Sequence, residues 1–215
     1  MKLISAAPSP YARKVRIVLH EKGIPFELET TVPWNADTVT GHHNPLGKIP
    51  ILIPDGPGPQ GGEPVFESSY ILEWLEVHHP SPAMMPTDPI ERLAARRLEV
   101  VGDGVCDAFV LHFFEMKRAP EHRSAAWLDR QFRKITGGMA ELERLVPETG
   151  FCVGGQFGLG DIAAVCTADY LTLRFPEFDW QSAHPKLAAL RLRLLDRPSF
   201  RMTTPTAQQI EPSVI

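Results

Sequence analysis

The pattern of apolar and polar positions changes character near residue 80. Before it, short apolar runs alternate with helical spacing and turn residues; beyond it, helical spacing runs almost to the end. Lys2 to Ala6 is a short apolar strand candidate. Over Tyr11 to Lys22, the positions Val15, Val18, Leu19 and Lys22 share one helical face, and Gly23 stops the helix. Phe26, Leu28, Thr30 and Val32 alternate with Glu27, Glu29 and Thr31, which predicts a strand with one apolar face. The apolar run Ile49 to Ile53 predicts a buried strand. The stretch "PDGPGPQGG" predicts a turn, and Val65-Phe66 its hairpin partner. Ser69 to His78 predicts a helix that buries Ile71, Leu72 and Leu75. The order is therefore β-α-β followed by β-β-α. A β-α-β unit implies a parallel pair with a right-handed crossover, and the hairpin adds an antiparallel strand, so residues 1–79 form a small mixed sheet with helices.

The proline-rich "HHPSPAMMPTDP" has no periodicity and reads as a linker, residues 80–87. Residues 88–215 then form an all-helical domain. Asp88-Pro89 starts a long helix with a cap followed by proline. Ile90, Leu93, Arg97, Val101, Val105, Ala108, His112 and Met116 track one face, with Leu98, Phe109 and Phe113 beside it. Leu128, Phe132, Ile135, Met139, Leu142 and Val146 step by alternating fours and threes, the cleanest helical stripe in the chain. Gly137-Gly138 interrupts that helix at a cost of about 1 kcal/mol each, and close approach of a neighbouring helix is the simplest reason. Asp161 to Arg174 and Pro185 to Asp196 are two further helices.

Composition narrows the class of function. The chain is 43% apolar and 22% charged with a formal net charge of -4, ordinary for a globular protein with a real core. Nothing in that balance draws it to nucleic acid or to an anionic membrane. No apolar run is long enough to span a bilayer, and the first residues lack a signal-peptide stretch, so a cytoplasmic location is expected. Three cysteines, Cys106, Cys152 and Cys166, are widely spaced and make neither a disulfide framework nor a zinc site. The histidine pairs His42-His43 and His78-His79 lack the helical spacing of a metal pair, so no metal is expected.

Candidate chemistry begins at "APSPYARKV". On its own, Ser9 followed by Pro10 reads as a helix cap and first-turn proline. Arg13, Lys14 and Arg16 follow. Cations in the first turns oppose the helix dipole; they either surround a bound anion or form a solvated basic face, the simpler reading for Lys14 and Arg16.

With "SPYARKV", "NPLGKIP", "FESSYILEWLE" and "FGLGDIAA" in that order, the chain resembles the cytosolic glutathione transferases from Lys2 to about Pro205. The Ser-Pro-aromatic turn is similar to that of serine-type bacterial members and of the plant tau class. The resemblance implies a thioredoxin-like α/β N-terminal domain, an all-α C-terminal helical bundle and a homodimer. It implies glutathione as co-substrate and Ser9 as the hydroxyl that holds its thiolate. Pro50 would be cis, and Ile49 would pair through its backbone with the cysteinyl unit. Lys48 would reach the glycyl carboxylate, while Glu67 and Ser68 would take the γ-glutamyl end. In the family Ser or Thr usually stands where Gly158 is found, so Asp161 makes an incomplete cap and is read as a fold determinant.

A pocket for a small hydrophobic electrophile is expected between the domains, with Tyr11, Trp34, Phe109, His112, Phe113 and Met116 as candidates. The dimer face would include Arg92, Arg96 and Glu99 beside small Ala95. The alternative is a glutathione-transferase-like binding or regulatory protein with little turnover, but the glutathione-site residues are retained. A thiol–disulfide reductase needs a cysteine in the first turn, and residues 7–13 contain none. A maleylacetoacetate isomerase wants a turn rich in serine and cysteine, from which "PSPYAR" departs.

Overall fold

The computed structural model describes residues 1–56 and 62–211. The chain divides into two compact units: Met1–Met84 with the described part of Arg197–Val214, and Met85–Asp196. The residues from Arg197 onward thus join the first unit, which a single domain over 88–215 does not anticipate.

In the first unit the elements are β1 (Lys2–Ser5), α1 (Pro10–Glu21), β2 (Glu27–Thr30), α2 (Thr40–His43), β3 (Ile51–Ile53), β4 (Val65–Phe66) and α3 (Ser68–His78). The short helix α2 has no counterpart in the apolar pattern. The sheet order is β2-β1-β3-β4, with β1 parallel to β2 and antiparallel to β3, and β3 antiparallel to β4. Leu3, Ile4, Ile51 and Leu52 form its core with Val15, Val18 and Leu19 of α1 and Ile71, Leu72 and Leu75 of α3. The outermost strand β2 has a single neighbour, and Leu28 is 45% exposed, so the apolar face expected for Phe26 to Val32 is only partly covered. In the predicted hairpin turn Gly62 N–H donates to the Pro54 carbonyl at 3.0 Å; residues 57–61 of that turn lie outside the described residues.

The end of α1 is fastened by a buried cation. Lys22 Nζ lies 2.7 Å from Glu76 Oε1 of α3, and its side chain is wholly buried. It also donates to the carbonyls of His79 and Pro82, both at 2.7 Å. Three oxygen acceptors replace the water that an ammonium loses on burial.

In the second unit α4 (Pro89–Lys117), α5 (Ala125–Leu145), α6 (Leu159–Arg174), α7 (Trp180–Ala183) and α8 (Pro185–Leu195) form a helical bundle. Asp88 caps α4 by accepting from Ile90 and Glu91 N–H at 2.9 Å. The buried stripe of α4 is Ala95, Leu98, Gly102, Val105, Phe109 and His112. The predicted face holds at Val105, Ala108 and His112 and is corrected at its ends, where Ile90, Leu93 and Met116 are exposed, because α5 and α6 pack on the side where small residues let them approach. A Cβ on Gly102 would sit 2.6 Å from Thr167 Oγ1 of α6, and one on Gly138 would sit 2.3 Å from Val105 Cγ2 of α4. Close helix approach therefore explains Gly138 but not its exposed neighbour Gly137, where nothing lies within 4 Å. Of the residues expected on a dimer face, Ala95 and Glu99 are instead buried within this unit, and Glu99 pairs with Arg96 at 2.6 Å. Asp161 bears out the structural reading. It is buried, accepting from Cys152 N–H at 2.9 Å and from Gly158 N–H at 3.0 Å. Gly158 has no side-chain oxygen to return the cap.

The chain returns to the first unit through α9 (Pro198–Arg201), which packs on α1. Here the solvated basic face expected of Lys14 and Arg16 is corrected: both are buried, as is Arg13. Arg16 Nη2 donates to the Thr203 carbonyl at 3.1 Å, and Arg13 Nε to Thr203 Oγ1 at 3.4 Å. The Arg13 guanidinium also lies 5.5 Å from the Phe200 ring centroid.

Candidate active site

Strand direction brings the sequence motifs together. Ser5 ends β1 beside Thr30 at the end of β2. Ile4 pairs with Ile51 at the start of β3, and Ile51 pairs with Phe66 at the end of β4. Consequently the segments after β1, before β3 and after β4 all leave the same end of the sheet. Those segments carry Ser9, Ile49-Pro50 and Glu67-Ser68. The loop after β2, with Trp34, leaves from that end too.

Ser9 caps α1. Its Oγ accepts the Ala12 N–H at 3.2 Å, and Pro10 occupies the first helical position, where no donor is needed. The cap uses a lone pair of the hydroxyl and not its proton, so the same oxygen can donate to an anion at the helix N-terminus. Tyr11 stands half-buried in the next position. The Ile49–Pro50 peptide bond is cis. Lys48 is exposed, and its carbonyl accepts from Asn44 Nδ2 at 2.8 Å.

Glu67 has φ 73°, and no other non-glycine among the described residues has positive φ. Such a conformation costs roughly 1–3 kcal/mol and persists where surrounding contacts hold it. The contacts are specific. Oε1 accepts from Ser68 Oγ and from Ser69 N–H, each at 3.1 Å, and Oε2 accepts from Ser69 Oγ. Burial pushes the Glu67 carboxyl up, but the Ser69 hydroxyl and N–H, the Ser68 hydroxyl and the Lys14 charge together hold it below the usual value. A carboxylate offers about four acceptor positions, so Oε2 keeps capacity for one cation. Lys14 and Ser69 are neighbours of Glu67 that motif reading missed. The signal for Lys14 was a cation placed against the helix dipole.

The remaining candidates belong to the second unit. Phe109 is a core residue, not a pocket wall: its ring meets Tyr170 at 5.1 Å and Phe175 at 4.5 Å. His112 lies beside Phe175 at 5.1 Å, and burial lowers its pKa, keeping the imidazole neutral at neutral pH. Phe113 is half-buried under the Arg174 guanidinium at 4.7 Å, and Met116 is exposed. A cavity of about 280 Å³ in this unit is lined by Leu93, Ala94, Arg97, Leu98, Leu145, Cys152 and Val153, none of them among the electrophile candidates. Burial and the nearby Asp161 push the Cys152 thiol up, away from nucleophilic use. Among the described residues no group of three or more His, Cys, Asp or Glu converges as a metal site.

A mixed four-stranded sheet with a capped helix and a cis-proline loop at one end, followed in the chain by a helical bundle, defines a thioredoxin-like domain joined to an all-α domain. Residues 8–78 match the family description "Glutathione S-transferase, N-terminal domain", and residues 125–193 match "Glutathione S-transferase, C-terminal domain". An Escherichia coli K12 relative, the uncharacterized GST-like protein YibF, is 37% identical over 210 residues, covering 95% of this chain and 98% of its own. A glutathione S-transferase from Methylobacterium radiotolerans, crystallised with glutathione sulfonate, is 57% identical with a TM-score of 0.92, covering 98% and 97% of the two chains. One from Methylobacillus flagellatus with glutathione bound is 36% identical with a TM-score of 0.88, covering 95% and 99%. The chain belongs to the glutathione S-transferase family.

Proposed function

We propose that this protein binds glutathione, ionises its thiol and transfers it to a small hydrophobic electrophile, acting as a cytoplasmic homodimer. The observation that carries the reading is the convergence of Ser9, Ile49-Pro50 and Glu67-Ser68 on one end of the sheet. It gains weight from relatives 57% and 36% identical that hold glutathione sulfonate or glutathione. In this reading the γ-glutamyl carboxylate meets the N-terminus of α3 and the Ser68 hydroxyl, which turns to it from Glu67 Oε1, and its ammonium meets Glu67 Oε2. The Ile49 backbone pairs with the cysteinyl unit, and exposed Lys48 reaches the glycyl carboxylate.

A free thiol has a pKa of about 8.5, so most of it is protonated at neutral pH. Lowering that value by one unit takes about 1.4 kcal/mol of preference for the thiolate. The Ser9 hydroxyl donating to sulfur is of that size, and the α1 N-terminus adds roughly 0.3–1 kcal/mol. The thiol proton leaves to solvent. The sulfur lone pair then forms a carbon–sulfur bond, with departure of a halide or protonation of the adduct according to the electrophile. Tyr11, Trp34, His112, Phe113 and Met116 are the side chains proposed to meet that electrophile.

The test is glutathione titration by calorimetry combined with turnover on aryl halides, epoxides and α,β-unsaturated carbonyls. Binding with turnover on one class supports the reading. Binding without turnover on any of them favours the binding-protein alternative, and absence of binding overturns the transferase reading. Glu67→Ala and Ser68→Ala should raise the KM for glutathione more than they lower kcat, because they act far from sulfur. Tyr70, Val77, Ile90, Leu93 and Val100 are exposed apolar side chains that a second copy would cover. Light scattering that returned the mass of a single chain, 23.9 kDa, would refute the dimer.

A further inference from the structure

The C-terminal segment is attached to the first unit at a graded series of points. At the far end of α1, the Arg197 guanidinium grips the Glu21 carboxylate, at 3.1 Å from Nε and 2.7 Å from Nη2, and Ser199 Oγ donates to Glu21 as well. Midway along α1, Thr203 takes up Arg16 and Arg13. Before the start of α1, Gln208 Oε1 accepts the Ala7 N–H at 3.0 Å. Beyond it, Glu211 N–H donates to Asn35 Oδ1 at 3.0 Å, and Ala36 N–H donates to Glu211 Oε2 at 3.5 Å. The partner positions 21, 16, 13 and 7 descend as the tail residues 197, 203 and 208 ascend. The tail therefore runs antiparallel to α1 towards its N-terminus. The five residues from Thr203 to Gln208 span roughly 17 Å when extended, enough to cover the remaining turn of helix and the loop before it.

We infer that residues 203–211 are a positioning strap for the Ser9 turn, with Gln208 as its clasp. The strap's effect on chemistry rests on the thiol-activating role proposed for Ser9. The turn is closed internally by a single backbone bond, Ser9 N–H to the Ala6 carbonyl at 3.1 Å. Pro8 and Pro10 supply no donors, so the Ala7 N–H is the turn's remaining outward donor before the helix, and Gln208 takes it. The next attachment, at Asn35, lies on the loop after β2, which leaves the same end of the sheet. The strap thus joins two loops that border the candidate glutathione site. It fixes where the Ser9 hydroxyl stands without touching glutathione.

The experiment compares wild type, Gln208→Leu, Gln208→Glu and a chain ended after Thr204, which keeps the Glu21 and Thr203 anchors. Amide exchange is followed at Ser9 and Ala12, whose own acceptors are untouched, together with the pH titration of the bound glutathione thiol. Loss of one hydrogen bond corresponds to about fivefold. Gln208→Leu and the shortened chain should exchange about fivefold faster at both amides. Their thiol titration should move up by about 0.5–1 pH unit, with a matching fall in kcat/KM. Gln208→Glu keeps an acceptor and should retain slow exchange. Unchanged exchange in the shortened chain would overturn the strap, as would faster exchange with an unmoved titration. If wild type binds no glutathione, the transferase reading falls, and the exchange comparison alone decides whether the tail holds the turn.

Discussion

Replacing Ser9 with alanine removes a cap and a thiolate donor together, and the two losses can be separated. The cap is the 3.2 Å bond from the Ala12 N–H. Ser9 is only 9% exposed, so water replaces that bond poorly and the stability loss should be about 1–2 kcal/mol. The donor acts on a sulfur that carries charge throughout the attack. Its loss should lower kcat/KM for an aryl halide by about 10–1000-fold, or roughly 1.4–4 kcal/mol, and should raise the bound thiol's pKa. Ser9→Asn is the discriminating variant. Asparagine caps helices as well as serine does, so its stability should approach wild type, while its longer amide cannot stand where the hydroxyl stood. Tyr11→Phe should be nearly silent. The assay is ultraviolet thiolate absorbance against pH on the glutathione-saturated protein, with urea denaturation alongside. A wild-type titration in Ser9→Asn would show that Ser9 is a cap and nothing more. A titration moved only by Tyr11→Phe would transfer the role to Tyr11.

Adjacent glycines in α5 should respond with opposite sign to alanine. Gly137→Ala meets nothing within 4 Å and should stabilise by about 0.4–1 kcal/mol, whereas Gly138→Ala drives a Cβ to 2.3 Å from Val105 Cγ2 and should cost about 1–3 kcal/mol; equal urea midpoints for the two would contradict the packing. Lys22→Met removes the buried cation from Glu76, which keeps the Met84 N–H, and should cost about 3–5 kcal/mol, with a loss under 1 kcal/mol in urea showing that the pair is dispensable. Burial pulls the Glu21 carboxyl up, yet the Arg197 and Ser199 bonds hold it below its ordinary 4.5. Its stabilisation is therefore complete above that value and is lost as pH falls through the lower folded value, so Glu21→Gln should flatten the acid limb of stability below pH 4.5. An acid limb unchanged in that variant would remove Glu21 from the account.

Features governed by chemistry within a few residues were legible before folding is considered. Ser9-Pro10 and Asp88-Pro89 announced two helix starts because a cap and a first-turn proline act within one turn of helix. Ile71, Leu72 and Leu75, and Ile135, Met139 and Leu142, were legible as buried faces because those helices carry one apolar stripe each. Four ordered motifs placed Ser9, Pro50 and Glu67 in a family, and strand direction then carried them to one end of the sheet. Tertiary structure decided the rest. The face of α4 could be read only in part because apolar residues lie on several of its sides. The choice fell to Gly102, and to Val105 opposite Gly138, where α6 and α5 come closest. Lys14 and Arg16 read as surface because charge is normally solvated. Arg13 and Arg16 are buried under a segment nearly two hundred residues away, whose Thr203 and Phe200 supply an acceptor and a ring. Gln208 carries no motif at all. Its contact with the Ser9 turn exists only once α9 has packed on α1, because a hydrogen bond between residues so distant in sequence is specified by the fold that brings them together.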